Sequence, residues 1–252
     1  MISIGENKSI LCKGDFRPAE LYKGDKKIAG YTVKEFEGIG SVTLENCYND
    51  KVYDVHAEGI TDAVITARGK NYFDVDKIPF NTSTAQPYNN GLKAMKATSG
   101  TTTGPKIPIY LPAGKTIYMT MEVVASQIEG TSDRIGIRFY NSKNTVVKSM
   151  SISATIAKKA YSFTLSENIS HIRFFFQGRE TSNAVGDYVT MDNIMLRCEG
   201  DDTFEPYIEP QTVQFENGAP AKDIPTFKGT TVIEIESETE AVISGKYKKR
   251  EG

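Results

Sequence analysis

Between Lys115 and Gln177 the apolar residues recur at every second position. In KTIYMTMEVVASQ (115–127), Ile117, Met119, Met121 and Val123 fall on one side, with Tyr118, Thr120 and Glu122 on the other. RIGIRFY (134–140) sets Ile135, Ile137 and Phe139 against Arg134, Arg138 and Tyr140. HIRFFFQ (171–177) sets Ile172, Phe174 and Phe176 against His171, Arg173, Phe175 and Gln177. Successive side chains on a strand point to opposite faces, so this period marks strands with one buried and one open face. A helix, with 3.6 residues per turn, would scatter the same residues around its circumference. Further runs at 107–112, 145–153, 159–166 and 187–196 are separated by clusters of Gly, Asn, Ser and Pro. The predicted fold class is therefore all-β, with a central jelly-roll-like antiparallel sandwich over 71–208. A segment of this length can close one hydrophobic core of its own.

Both flanks read as smaller β pieces. Residues 1–70 form a predicted N-terminal β attachment unit, with a hairpin in RPAELYKGDKKIAGYTVKEF (17–36) turning at Gly24–Asp25. Three more strand candidates follow at 41–46, 51–59 and 60–69. The piece from 209 to 252 contains TTVIEI and AVISGKY around the acidic SETE, which predicts a C-terminal hairpin. Neither flank buries much apolar surface alone, and a lone hairpin is hardly stable in water. The C-terminal hairpin is expected to dock on the sandwich, on the N-terminal unit or on another chain, and the strand edges of both flanks to be satisfied by other subunits, in a homo-oligomer or a mixed assembly.

A formal net charge of −2 supplies no concentrated Lys/Arg field, which argues against a nucleic-acid partner. The basic run KYKKR (246–250) reads as a solvated tail. No stretch approaches the roughly 20 apolar residues of a membrane helix, and the first residues lack the apolar core of a signal peptide. Cys12, Cys47 and Cys198 are widely spaced, without CxxC, and read as reduced thiols.

Two constellations carry chemistry. Arg138, Tyr140, Arg173, Phe175 and Gln177 lie on open strand faces. If the two strands are neighbours, Tyr140 and Phe175 would stack a sugar ring while the arginines grip hydroxyl or phosphate groups. The same face could equally be covered by a loop or a subunit, with Phe175 as its anchor. Asp74 and Asp76 near the start and Asp192 near the end would meet if the terminal strands pair, making a structural Ca²⁺ the cofactor to expect. The competing reading is turn and edge carboxylates; Asp201 and Asp202 are taken as turn residues.

An enzyme is not expected. His56 and His171 have no HExxH or triad spacing and read as surface or partner contacts. In GTTTGPK (100–106) a proline stands where a phosphate loop needs lysine. Glu122 is the one candidate carboxylate for glycoside hydrolysis.

Three stretches, in order, carry a family resemblance: ITARGKNYFDVDKI (65–78), MDNIMLRCEGDDTFEPYIEP (191–210) and IPTFKGTTVIEIE (224–236). The first resembles the GKNLFD junction that precedes a carbohydrate-binding-module-like sandwich in tail and baseplate proteins of phages and prophages of Gram-positive bacteria. The second is similar to the NIQLE-type closing strand and YEPY exit of those modules. The third is similar to the end of minor structural proteins from such particles. The resemblance implies a virion component of the tail, assembled in the host cytoplasm without a signal peptide. Its implied partners are other tail or baseplate subunits, with host cell-wall polysaccharide as the ligand if the open face is an adhesin. The chain has no Trp, the residue on which sugar-binding sandwiches commonly stack pyranose rings, so an architectural role stands beside the adhesin.

Overall fold

The computed structural model describes residues 18–23, 26–37, 40–47, 51–59, 63–79, 83–97, 102–127, 134–176, 185–215, 222–225, 227–235 and 240–249. Side chains are described at 64–79, 83–97, 103–127, 135–175, 185–214, 225 and 227–234. Five strands open the chain: β1 (Pro18–Lys23), β2 (Lys26–Glu37), β3 (Gly40–Cys47), β4 (Lys51–Gly59) and β5 (Ala63–Gly69). The middle holds β6 (Ala85–Tyr88), β7 (Gly91–Met95), β8 (Thr102–Thr103), β9 (Ile107–Leu111) and β10 (Thr116–Ser126). It continues with β11 (Arg134–Tyr140), β12 (Val146–Ser153), β13 (Ala157–Thr164), β14 (Ile169–Phe176) and β15 (Tyr188–Arg197). Four strands close the chain: β16 (Gln211–Phe215), β17 (Lys222–Ile224), β18 (Gly229–Ile235) and β19 (Glu240–Lys249). Helix among the described residues is limited to a 3₁₀ turn at Val75–Lys77.

The fold is all-β and divides into two units, Lys70–Tyr207 and the two chain ends together, Met1–Gly69 with Ile208–Gly252. Lys70–Tyr207 is an antiparallel sandwich. One sheet runs β13-β10-β15-β7-β6; the other runs β12-β11-β14-β8, with β9 also paired to β14. Ile117, Met119, Met121 and Val123 of β10 share a core with Ile135, Ile137 and Phe139 of β11 and with Ile172 and Phe174 of β14. Burying side chains of this size is worth about 1.5–3 kcal/mol each, which is why the alternating residues decide the fold. A bulge in β15 opposite β10 places Asn193 at φ 49° and lets both Met191 and Ile194 face the core. Gly91 permits the close approach of β7 to that bulge, since a Cβ there would sit 2.2 Å from the Met191 carbonyl oxygen.

One polar knot joins the sandwich's entry to its exit. Asn71 is 3 % exposed and its amide is fully used. Nδ2 donates to the carbonyls of Ile194 (3.2 Å) and Glu205 (3.0 Å), while Oδ1 accepts the N–H groups of Phe73 (2.9 Å) and Leu196 (3.1 Å). Beside it the Lys70 ammonium, with no side-chain exposure, pairs with Asp201 at 2.6 Å and Glu205 at 3.0 Å. Its hydrogen bond holds the Asp201 carboxyl below the usual carboxylate range. Asp201, expected as a plain turn residue, is thus half of an ion pair.

The end pieces depart from the expected arrangement. The runs TTVIEI and AVISGKY are strands, but they do not pair with each other as a hairpin. β18 lies between β3 and β5, and β19 between β2 and β4. Two sheets result, β1-β2-β19-β4-β17 and β16-β5-β18-β3, each mixing strands from both chain ends. In these positions β18 and β19 have ladder partners on both sides, which a two-stranded ribbon cannot offer. Of the docking places open to the C-terminal piece, the structure shows the strands of the N-terminal piece. The hairpin at the start is present: β1 pairs with β2 with Lys23 opposite Lys26.

Candidate functional site: the outward face of one sheet

The open residues singled out above are brought together by the pairing of β11 with β14. Arg138 stands directly opposite Arg173, Tyr140 opposite His171, and Gly136 opposite Phe175. Alternation turns all six away from the core. Gln177 lies outside the described residues.

Phe175 cannot stack a sugar, which corrects its assignment. It is 4 % exposed, and its ring lies against Gly136, where a Cβ would come within 2.2 Å of it. The Arg138 guanidinium covers the ring at 4.4 Å from its centroid. Parity put Phe175 outward; the hollow over a glycine and the lid of an arginine bury it. His171 is likewise not a surface contact, being 1 % exposed. The Tyr140 ring stacks on it at 4.7 Å with an interplanar angle of 3°. Ser170 Oγ lies 3.0 Å from its Nδ1, while Nε2 finds no partner among the described residues. Burial, joined by the charges of Lys106 and Arg173, pulls the imidazole down to about 4.

A depressed imidazole gives stability a definite pH dependence. The neutral ring is favoured in the folded state, so its contribution is complete above the unfolded value near 6.5 and lost as pH falls towards about 4. Urea unfolding midpoints are expected to drop between pH 7 and pH 5. His171→Phe, which keeps the stack and removes the titration, should flatten that slope; an unchanged slope would contradict the assignment.

Arg173 donates to the Gly104 carbonyl only at 3.5 Å. Among the described residues no carboxylate pairs with Arg138, Arg173 or Lys106. Two groups on this face escaped the sequence reading: Tyr110 on β9, 61 % exposed, and Lys106 just before it. IPIYL alternates like its neighbours, and that signal would have placed Tyr110 outward.

The carboxylates proposed for calcium do other work. Asp74 caps the 3₁₀ turn by accepting the Asp76 N–H at 2.9 Å. Asp192 accepts from Asn89 Nδ2 (3.0 Å) and from the N–H groups of Asn90 (3.1 Å) and Asn193 (2.7 Å), tying the β6–β7 turn to the bulge. Among the described residues no cluster of three or more His, Cys, Asp or Glu is arranged to hold a metal. Glu122 faces a surface cleft of about 320 Å³ that it shares with Asp202, Lys158, Asn193 and Phe204. The side chain of His56 lies outside the described residues. No described helix is long and apolar enough to cross a membrane.

No family model and no curated protein matches the chain. Among solved structures, the VP2 subviral particle of infectious bursal disease virus aligns over 92 % of this chain and 74 % of its own, at 9 % identity and TM-score 0.27. T=1 particles derived from the same virus align over 88 % and 66 %, at 7 % identity and TM-score 0.25. Its T13 viral particle aligns over 88 % and 66 %, at 9 % identity and TM-score 0.27. Scores of this size are too low for the likeness to carry an argument.

Proposed function

We propose that this chain is a structural component of a phage tail or tail-like particle of Gram-positive bacteria. Its interleaved ends form an attachment unit, and the sandwich is inserted between β5 and β16. The observation that carries the reading is the polar knot. The GKN and EPY motifs, about 135 residues apart in sequence, are the ones that resemble the junction and exit of tail-protein modules. They meet in space because Lys70 and Asn71 bind Asp201, Glu205 and the β15 backbone. A shared structural purpose gives a physical reason for finding both motifs together at these positions. Assembly with other particle subunits, including further copies of the chain, belongs to this reading; catalysis and a resident cofactor do not.

Particles purified from the host that encodes the chain provide the test. Mass spectrometry should find it in the tail fraction at a fixed ratio to the other tail proteins, resisting a high-salt wash. Recovery only as free protein would overturn the proposal.

A second reading, a carbohydrate-binding adhesin, is favoured by one observation. The outward face carries Arg138, Arg173 and the rings of Tyr110 and Tyr140, without a carboxylate partner for either arginine among the described residues. Under this reading the chain is retained by host cell-wall polysaccharide, and Tyr110→Ala weakens retention.

A further inference from the structure

The sheet β12-β11-β14-β8, with β9, contains Arg134, Arg138, Lys148, Arg173 and His171, yet not one Asp or Glu in any of its strands. In the whole chain 32 acidic residues outnumber 30 basic ones, so a sheet free of acid is a local departure. Arg138 and Arg173 occupy directly opposed positions of an antiparallel pair, where like charges repel. Among the described residues each is held by a single weak contact, the Phe175 ring for Arg138 and the Gly104 carbonyl at 3.5 Å for Arg173. Most of the five N–H donors of each guanidinium therefore have no partner among the described residues. Lys106 is near enough for its charge to act on His171, between whose strand and β9 the ladder places His171 opposite Pro108. An anion would relieve the repulsion and accept these donors together.

We propose that the outward face around Arg138 and Arg173 binds a phosphodiester group, with Lys106 as the third cation and the Tyr140–His171 stack beside it. The assignment rests on the reading of this face as a ligand face. A carboxylate presents its lone pairs in one plane and suits one guanidinium fork, whereas the two anionic oxygens of a phosphodiester accept over a wider spread of directions and can take donors from both arginines. Tyr110 and Tyr140 offer ring faces to a sugar or polyol carrying the phosphate. The net charge of −2 disfavours a nucleic acid, whose other phosphates would meet no matching field.

The test uses the full chain, isotope-labelled, titrated with dimethyl phosphate while Arg Nε–H and His171 ring resonances are followed by NMR. Trimethyl phosphate, of similar shape without charge, is the control. Saturable shifts at Arg138, Arg173 and His171 with dimethyl phosphate alone are expected, weakening with added salt. Arg138→Gln, at an exposed position, should lower affinity roughly tenfold, as should Arg173→Gln. No saturable shift, or an equal response to trimethyl phosphate, overturns the proposal. So does tighter binding of a single-stranded oligonucleotide than of an oligo(glycerol phosphate) of equal charge. Retention by an uncharged wall glycan without any response to dimethyl phosphate sinks the phosphodiester assignment and leaves the adhesin reading standing. Indifference to both kinds of polymer removes the two together.

Discussion

Asn71→Ala is expected to remove a large share of the sandwich's stability. The substitution strips partners from two carbonyls and two N–H groups at once, the buried ones of Ile194, Phe73 and Leu196 and the partly buried carbonyl of Glu205. Each stranded group costs about 1–3 kcal/mol, so a loss of roughly 4 kcal/mol or more is expected even after partial relaxation. Folded domains have only about 5–15 kcal/mol in total. Asn71→Asp should be no milder. It keeps the acceptor but loses both donors, and it turns a charged oxygen towards the two carbonyls. Urea midpoints of the two variants against the parent chain check this. A loss below about 1 kcal/mol in Asn71→Ala would mean that the knot is incidental.

The second large effect is at Lys70, where the direction of substitution decides the outcome. Its ammonium is wholly buried, whereas the Asp201 side chain is 66 % exposed and that of Glu205 only 15 %. Removing both acids, in Asp201→Asn with Glu205→Gln, strands a cation away from water and should cost about 3–5 kcal/mol. Lys70→Met removes the cation instead and fills the same space with apolar atoms. Asp201 then rehydrates and only Glu205 loses a partner, so a loss of about 1–2 kcal/mol is expected. The double variant should therefore be the less stable of the two by calorimetry. The reverse order would show that Glu205, not Lys70, is the group that cannot bear isolation. Because Asp201 titrates below its usual range, its share is present above that range and fades on acidification.

The strands of the sandwich were legible because burial on one face leaves a mark of period two. Ile135, Ile137 and Phe139 showed it, and the structure buries all three. Partners were not legible. TTVIEI and AVISGKY advertise strands, but nothing local says that they will be parted, one inserting beside β3 and the other beside β2. Adjacency in sequence suggested a hairpin; two partners per strand outcompete one. At the outward face, parity located Arg138, Tyr140, Arg173 and Phe175 correctly, yet parity is not exposure. A missing side chain at Gly136 made room for the Phe175 ring, and Arg138 closed over it. His171 was misjudged for a similar reason, since the flat stack with Tyr140 depends on register across strands. Asn71 sat inside a recognised motif, but its four hydrogen bonds reach residues more than a hundred positions away, apart from that to Phe73.

The proposed role requires a sandwich whose entry and exit are bound to each other as firmly as its core strands. Native-state hydrogen exchange of the intact chain reads this directly. The amides of Tyr72, Phe73 and Leu196, bonded to the Leu196 carbonyl and to Asn71 Oδ1, should exchange only through global unfolding. Their protection should then equal that of Ile137 in the middle of β11. Exchange of these three amides orders of magnitude faster than Ile137 would show that the ends fray independently, and the account would not stand.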